Sequence, residues 1–258
     1  MALVTYSLSG GVAEVRLNDP DRLNAISEPM AAELVKALGR AGREARAIVL
    51  GGEGRGFSSG ANLTEGTEEL MRPDRDIGAR LDRVYKPVML ALKHSPVPIV
   101  AAVKGPAVGI GCSVALAADL IVAGDQSYFS QGFVKIGLIP DGGSTWLLTR
   151  AIGRTRAMEM MLLGERVPAE QALAWGLINR VVPESEADAA AGAIAAQLAA
   201  GPMAMGIIRR VAWAAADAGF EAVLDAERDG QFEAGRSGDF LEGVQAFMGK
   251  RAPNFRGH

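Results

Sequence analysis

Two apolar runs, AIVL at 47–50 and PIVAAV at 98–103, each lead through a glycine-rich turn toward an expected helix. The turns read Gly56-Phe57-Ser58-Ser59-Gly60-Ala61-Asn62-Leu63 and Gly105-Pro106-Ala107-Val108-Gly109-Ile110-Gly111-Cys112-Ser113. Repetition of strand, turn and helix commits a chain to the α/β class, because strands that run parallel need a crossover between them. The start of a helix also leaves backbone N–H groups without acceptors, so two such turns side by side can cradle an oxyanion. Glycine-rich stretches are equally ordinary turns, and neither one alone implies chemistry. A third stretch, FSQGFVKIGLIPDGG at 129–143, holds a single carboxylate, Asp141. Asp141 is a candidate catalytic base, but Pro-Asp-Gly is also a common turn, and the side chain suits a cap for a helix beginning near Ser144.

Alternation of short strand and helix patterns continues along the chain. Strands are expected at 3–8, 12–17, 46–51, 98–103, 119–123 and 178–182, with Gly10-Gly11 turning the first pair into a hairpin. Helices are expected at 28–42, 76–94, 110–118, 145–151, 154–163, 168–175, 186–200, 203–217, 219–234 and 239–249. Ser27 before Glu28-Pro29 reads as an N-cap with proline in the first turn. No strand pattern follows residue 185, which divides the chain into a core at 1–185 with the active site and a helical region at 186–258.

Composition narrows the function classes. At 258 residues, 49% hydrophobic and 22% charged, the chain has material for one large core with a helical appendage. Its 27 basic and 30 acidic residues give a net charge of −3, and no basic run offers a nucleic-acid surface. The one cysteine, Cys112, reads as packing, and the histidines, His94 and His258, are far apart, so a zinc site and a Ser-His-Asp triad lack material. No uninterrupted apolar stretch reaches the ~18 residues of a membrane span. A cytoplasmic protein is expected.

Five segments together resemble the crotonase superfamily, the enoyl-CoA hydratase/isomerase family. They are Arg22-Leu23-Asn24-Ala25, GRGFSSGANL at 54–63, VKGPAVGIGCSVALAADLIVAG at 103–124, KIGLIPDGGSTWLLTRAIG at 135–153 and FMGKRAPNF at 247–255. Within it the chain is most similar to the phenylacetate-pathway branch, the epoxyphenylacetyl-CoA isomerases. The resemblance implies a ββα spiral core with a C-terminal helical region that assembles three or six copies. It implies an acyl-CoA thioester substrate, with coenzyme A part of that substrate and no separate cofactor or metal.

By position, the resemblance places the oxyanion donors on the backbone N–H of Ser59 and Ile110. Gly-Ile-Gly stands where family hydratases commonly carry three glycines, and the β-branched Ile110 is expected to narrow the acyl pocket. The hydratases' two water-activating glutamates fall on Ser113 and Phe133, neither of which can take a proton at neutral pH. Asp141 instead matches the acid of several family isomerases, and an apolar surround of Phe133, Ile139 and Trp146 is expected to raise its pKa. Substrate and CoA contacts fall on Arg22, Leu23, Ala25, Ser58, Ala61, Asn62, Leu63 and Gly109, with Phe133 and Trp146 as pocket wall. Asn62 replaces an acidic residue usual in the motif. Phe247 and Lys250 resemble tail residues that reach the CoA of a neighbouring subunit.

The expected function is therefore a CoA-thioester isomerase acting on an enoyl or arylacetyl group. Three alternatives stay open: a hydratase of the same family, a nucleophilic Asp141 as in aryl-CoA dehalogenases, and a non-catalytic CoA-binding or assembly subunit.

Overall fold

A computed structural model describes residues 2–64 and 71–258. Strand β1 (Val4–Ser9) and strand β2 (Val12–Leu17) form the expected hairpin. Helix α1 (Glu28–Glu44) follows, capped by Ser27, whose hydroxyl accepts from the N–H of Met30 at 3.2 Å. Strands β3 (Ala47–Gly52), β4 (Ile99–Val103), β6 (Leu120–Gly124) and β9 (Arg180–Val182) then add in parallel, giving a six-stranded sheet ordered β1-β2-β3-β4-β6-β9.

Both faces of the central strands are buried, as parallel strands require. Ile48, Leu50, Ile99, Ala101 and Val103 face the main core with α1, while Ala47, Val49, Val100, Ala102 and Val122 face helix α8 (Ala187–Ala199) through Ala191, Ile194 and Ala195. Alanine-rich α8, the first helix of the region expected from 186 onward, thus covers the sheet's second face and packs against it.

A second layer is built by short excursions after each large-sheet strand. Beyond β3, Ser58 and Ala61 bridge to Ala107 and Ile26; beyond β4 and β6 come β5 (Pro106–Val108) and β7 (Tyr128–Ser130), paired in parallel, and β8 (Val167–Pro168) closes that sheet. Strand, excursion and helix repeat in turn, which is the expected ββα spiral. These short strands escaped the sequence reading because two or three residues rich in proline and serine carry no period.

The expected helix 76–94 is broken into α2 (Ile77–Arg80), a π turn at Leu81–Tyr85 and α3 (Lys86–Lys93). Helix α4 (Ile110–Leu116) follows β5, and α5 (Ser144–Ala151), α6 (Gly153–Leu163) and α7 (Ala169–Trp175) follow β7. Helices α9 (Ala204–Ala215), α10 (Phe220–Ala234) and α11 (Gly238–Met248) end the chain. Among the described residues no single helix is long and apolar enough to cross a membrane.

Candidate active site

Asp141 lies between a 3₁₀ turn at Gly132–Ile136 and α5. The capping alternative does not hold. The N-cap of α5 is Gly143, which makes no side-chain cap bond, and the free N–H of Ser144 donates to the backbone carbonyl of Asp141 at 3.1 Å. The same carbonyl accepts the hydroxyls of Ser144 at 2.8 Å and of Ser113 at 3.1 Å. The carboxylate is left out of this arrangement: its Oδ1 is buried without a partner among the described residues, and burial pushes the carboxyl up to about 6. A charge withheld from water favours its protonated form, which makes the ionised form a stronger base.

The expected surround of Asp141 is only partly right. Phe133 is buried, but Ile139 is 83% exposed and Trp146 turns away. The Trp146 ring stacks on Trp213 with centroids 5.4 Å apart, and its Nε1 donates to Asp217 at 2.9 Å. It belongs to an apolar cleft of about 680 Å³ between α5 and α9 and is removed from the candidate wall. What packs on the Asp141 segment is α4. A Cβ at Gly142 would run into Ile110 Cδ1 and lie 2.9 Å from Ser113 Cβ, and φ of +60° already demands glycine there. Ile110 is fully buried, and its Cδ1 packs under Gly142, so it supports the base segment.

The two glycine-rich turns meet. A Cβ at Gly60, whose φ is +103°, would lie 2.9 Å from the carbonyl of Val108, and one at Gly109 would lie 4.0 Å from Gly60 Cα and 3.5 Å from Phe133 Cζ. One expected donor is corrected. The N–H of Ser59 donates to Leu23 O at 2.8 Å and is not available to a substrate. Two residues on, Ala61 sits in a parallel bridge to Ile26 that uses Gly60 O and Asn62 N, and leaves its own N–H pointing the other way. Among the described residues neither Ala61 N–H nor Ile110 N–H has an acceptor, which makes this pair the candidate oxyanion hole.

Ser58 is likewise excluded as a ligand contact. Its N–H donates to Pro106 O at 2.9 Å, its carbonyl accepts from Val108 N at 3.0 Å, and its hydroxyl donates to Asn24 O at 2.8 Å. Asn24, assigned no role in the sequence reading, is fully buried and ties the segment after β2 to the first turn. Its Oδ1 accepts from Asp19 N, and its Nδ2 donates to Glu53 O at 3.0 Å and Gly56 O at 2.8 Å. That cross-link holds Leu23 and Asn24 in the left-handed region, at φ of 52° and 55°. A lone Asn in a loop gives no sign of such a task.

Around this buckle, Arg22 extends an exposed side chain paired with Asp19 at 3.2 Å, Ala25 is nearly buried, and Leu63 is half exposed. Asn62 serves its own turn, its Oδ1 accepting from Thr64 N at 3.1 Å and Oγ1 at 2.7 Å. Phe247 lies at the exposed end of α11, where it is 86% exposed, and Lys250 follows two residues past that end. Among the described residues no three His, Cys, Asp or Glu side chains are grouped to hold a metal.

With this geometry in place, comparison with known proteins is specific. A family model described as enoyl-CoA hydratase/isomerase matches residues 7–258. The chain is 39% identical to the 1,2-epoxyphenylacetyl-CoA isomerase of Escherichia coli K12, over 100% of this chain and 99% of the relative. It is 42% identical to a protein of Rhodobacter capsulatus named "Probable enoyl-CoA hydratase", over 98% of each. A crystal structure of an enoyl-CoA hydratase from Polaromonas sp. JS666 matches with a TM-score of 0.90 at 30% identity, covering 98% of this chain and 99% of that one.

Proposed function

The chain belongs to the enoyl-CoA hydratase/isomerase family, and from that premise we propose that it is a CoA-thioester isomerase with Asp141 as its acid/base group. One observation carries the reading: among the described residues, Asp141 Oδ1 is buried without a hydrogen bond beside two touching turns whose Ala61 and Ile110 N–H groups find no acceptor. The carboxylate removes a proton from the carbon α to the thioester. The negative charge passes to the thioester oxygen, where the two N–H groups stabilise it, an effect worth about 2.7–4 kcal/mol per donor in comparable sites. The same carboxylic acid returns the proton to the γ carbon, so the double bond moves into conjugation and no net charge or electron is exchanged. Coenzyme A arrives as part of the substrate, and no separate cofactor is required by this sequence of steps. Exposed apolar side chains on α10 and α11, among them Phe220, Phe232, Phe240, Leu241, Phe247 and Met248, support assembly into a trimer or hexamer.

The hydratase name carried by the Rhodobacter capsulatus relative gives the alternative its weight. Against it, Phe133 packs beside Gly109, and the Ser113 hydroxyl is directed at two backbone carbonyls, Gly109 at 3.3 Å and Asp141 at 3.1 Å. Neither group can activate water. The deciding experiment follows 3-hexenoyl-CoA conversion and crotonyl-CoA hydration under the same conditions. Hydration is expected to be at least about 1000-fold slower, the loss of two acid/base contributions. Hydration as fast as isomerisation, and persisting in Asp141→Asn, would overturn the assignment.

A further inference from the structure

With Asp141 as the base, the reading proposed above, we infer that Ser113 and Ser144 are positioning residues that claim its backbone carbonyl and thereby keep its carboxylate free of hydrogen bonds. An aspartate just before a helix ordinarily swings its side chain onto the helix's free N–H groups. Here that outcome is blocked. The N–H of Ser144 donates to the Asp141 carbonyl at 3.1 Å, and the Ser144 hydroxyl donates to the same oxygen at 2.8 Å. The Ser113 hydroxyl approaches that oxygen from α4 at 3.1 Å.

Ser113 also reaches the other half of the site. Its hydroxyl lies 3.3 Å from the carbonyl of Gly109, the residue before the oxyanion donor Ile110. One side chain therefore sets the base segment against the oxyanion turn, and the close packing of Gly142 on Ile110 and Ser113 fixes the spacing. Both serines are fully buried, so neither hydroxyl is there to contact solvent. Among the described residues no charged side chain contributes to the state of the Asp141 carboxyl; burial is what raises it. Lys135, on the preceding 3₁₀ turn, is turned toward Gly164, where its Cε would lie 3.4 Å from an added Cβ.

The test compares Ser113→Ala, Ser144→Ala and Ser113→Thr with wild type and Asp141→Asn, using 3-hexenoyl-CoA across the pH range and circular dichroism to confirm folding. Releasing the carbonyl lets the carboxylate rotate onto donors or water. Each alanine variant is expected to lose about tenfold in kcat, the scale of one hydrogen bond, with KM within about twofold. Its acid limb is expected to fall by about one pH unit as the carboxylate regains solvation. Ser113→Thr, which keeps the hydroxyl, is expected to retain the wild-type limb. Alanine variants with wild-type kcat and limb, or with lower kcat and an unmoved limb, would overturn the role while Asp141→Asn remains inactive. Full activity in Asp141→Asn, or none in wild type, would overturn the base assignment and the positioning role with it. If Ser113→Ala does not fold, Ser144→Ala decides alone, since its hydroxyl makes the shorter bond.

Discussion

Asp141 stands at a conflict between stability and chemistry. Its folded carboxyl titrates at about 6 against an ordinary value of 3.8, so the native state holds the proton more tightly than the unfolded chain. The stabilising contribution is therefore complete below pH 3.8 and lost as pH rises through about 6, the reverse of the usual salt-bridged carboxylate. Asp141→Asn, neutral throughout, is expected to be more stable than wild type at pH 8 by on the order of 2–3 kcal/mol, with the difference shrinking toward pH 4. Urea denaturation at the two pH values measures this, and an equal difference at both would mean that the carboxylate is not desolvated. The same variant is expected to lose about 100-fold or more in turnover while still binding CoA esters. Wild-type kcat is expected to decline as pH falls through about 6, where the base becomes protonated. The sequence marks Asp141 as the candidate because a single carboxylate in an apolar glycine-rich stretch is conspicuous. It points to Ser59 rather than Ala61 as a candidate donor because side-chain chemistry does not reveal which of two nearby N–H groups the chain itself consumes. That depends on the Ile26–Ala61 bridge and the Ser59-to-Leu23 bond, both contacts between distant segments.

Among the elements, α3, β4 and α9 meet at one buried guanidinium. Arg209 of α9 is 5% exposed; it pairs with Asp119 at 2.7 Å and donates to the carbonyls of Leu92, Lys93 and Ser95 at the end of α3. Asp119 in turn accepts from Ile99 N at 2.8 Å, at the first residue of β4. Asp119 itself reaches solvent, so the cost of removing the guanidinium lies mainly in the carbonyls of Leu92, Lys93 and Ser95 that lose its donors. Arg209→Met is expected to destabilise the fold by about 3–5 kcal/mol, the loss of several buried hydrogen bonds to a charged group. A change below about 1 kcal/mol in chemical denaturation would show that water replaces those bonds. The long elements were visible from apolar periodicity and from caps such as Ser27. The interruption at Leu81–Tyr85 is marked only indirectly, by Pro87 in the first turn of α3, which has no N–H to donate to the carbonyl of Arg83.

At the scale of the whole molecule, the C-terminal helices bury little of their apolar surface within one chain. Phe220 is 73% exposed, Phe247 86% and Met248 77%, large apolar side chains of the kind that mark an interaction surface. The tail is nevertheless held in a defined shape. Burial acts to raise the Asp239 carboxyl, but the N–H groups of Arg256, Met203 and Gly257 all donate to it and hold it below the ordinary value. An ordered tail that presents uncovered phenylalanines is suited to a second copy of the chain, the arrangement that the proposed contact of Phe247 and Lys250 with a neighbour's CoA requires. Light scattering is expected to give a mass three or six times that of the chain. Truncation after Glu242 removes Phe247, Lys250 and two of the three donors to Asp239, and is expected to lower the mass and weaken CoA binding by about tenfold or more, the loss of one buried aromatic anchor. Phe247→Asp leaves the Asp239 anchor intact and is expected to have the same effect through repulsion at the apolar face. A wild-type protein that scatters as a single chain and binds CoA normally would show that the exposed face has no such partner, and that the site is complete within one subunit.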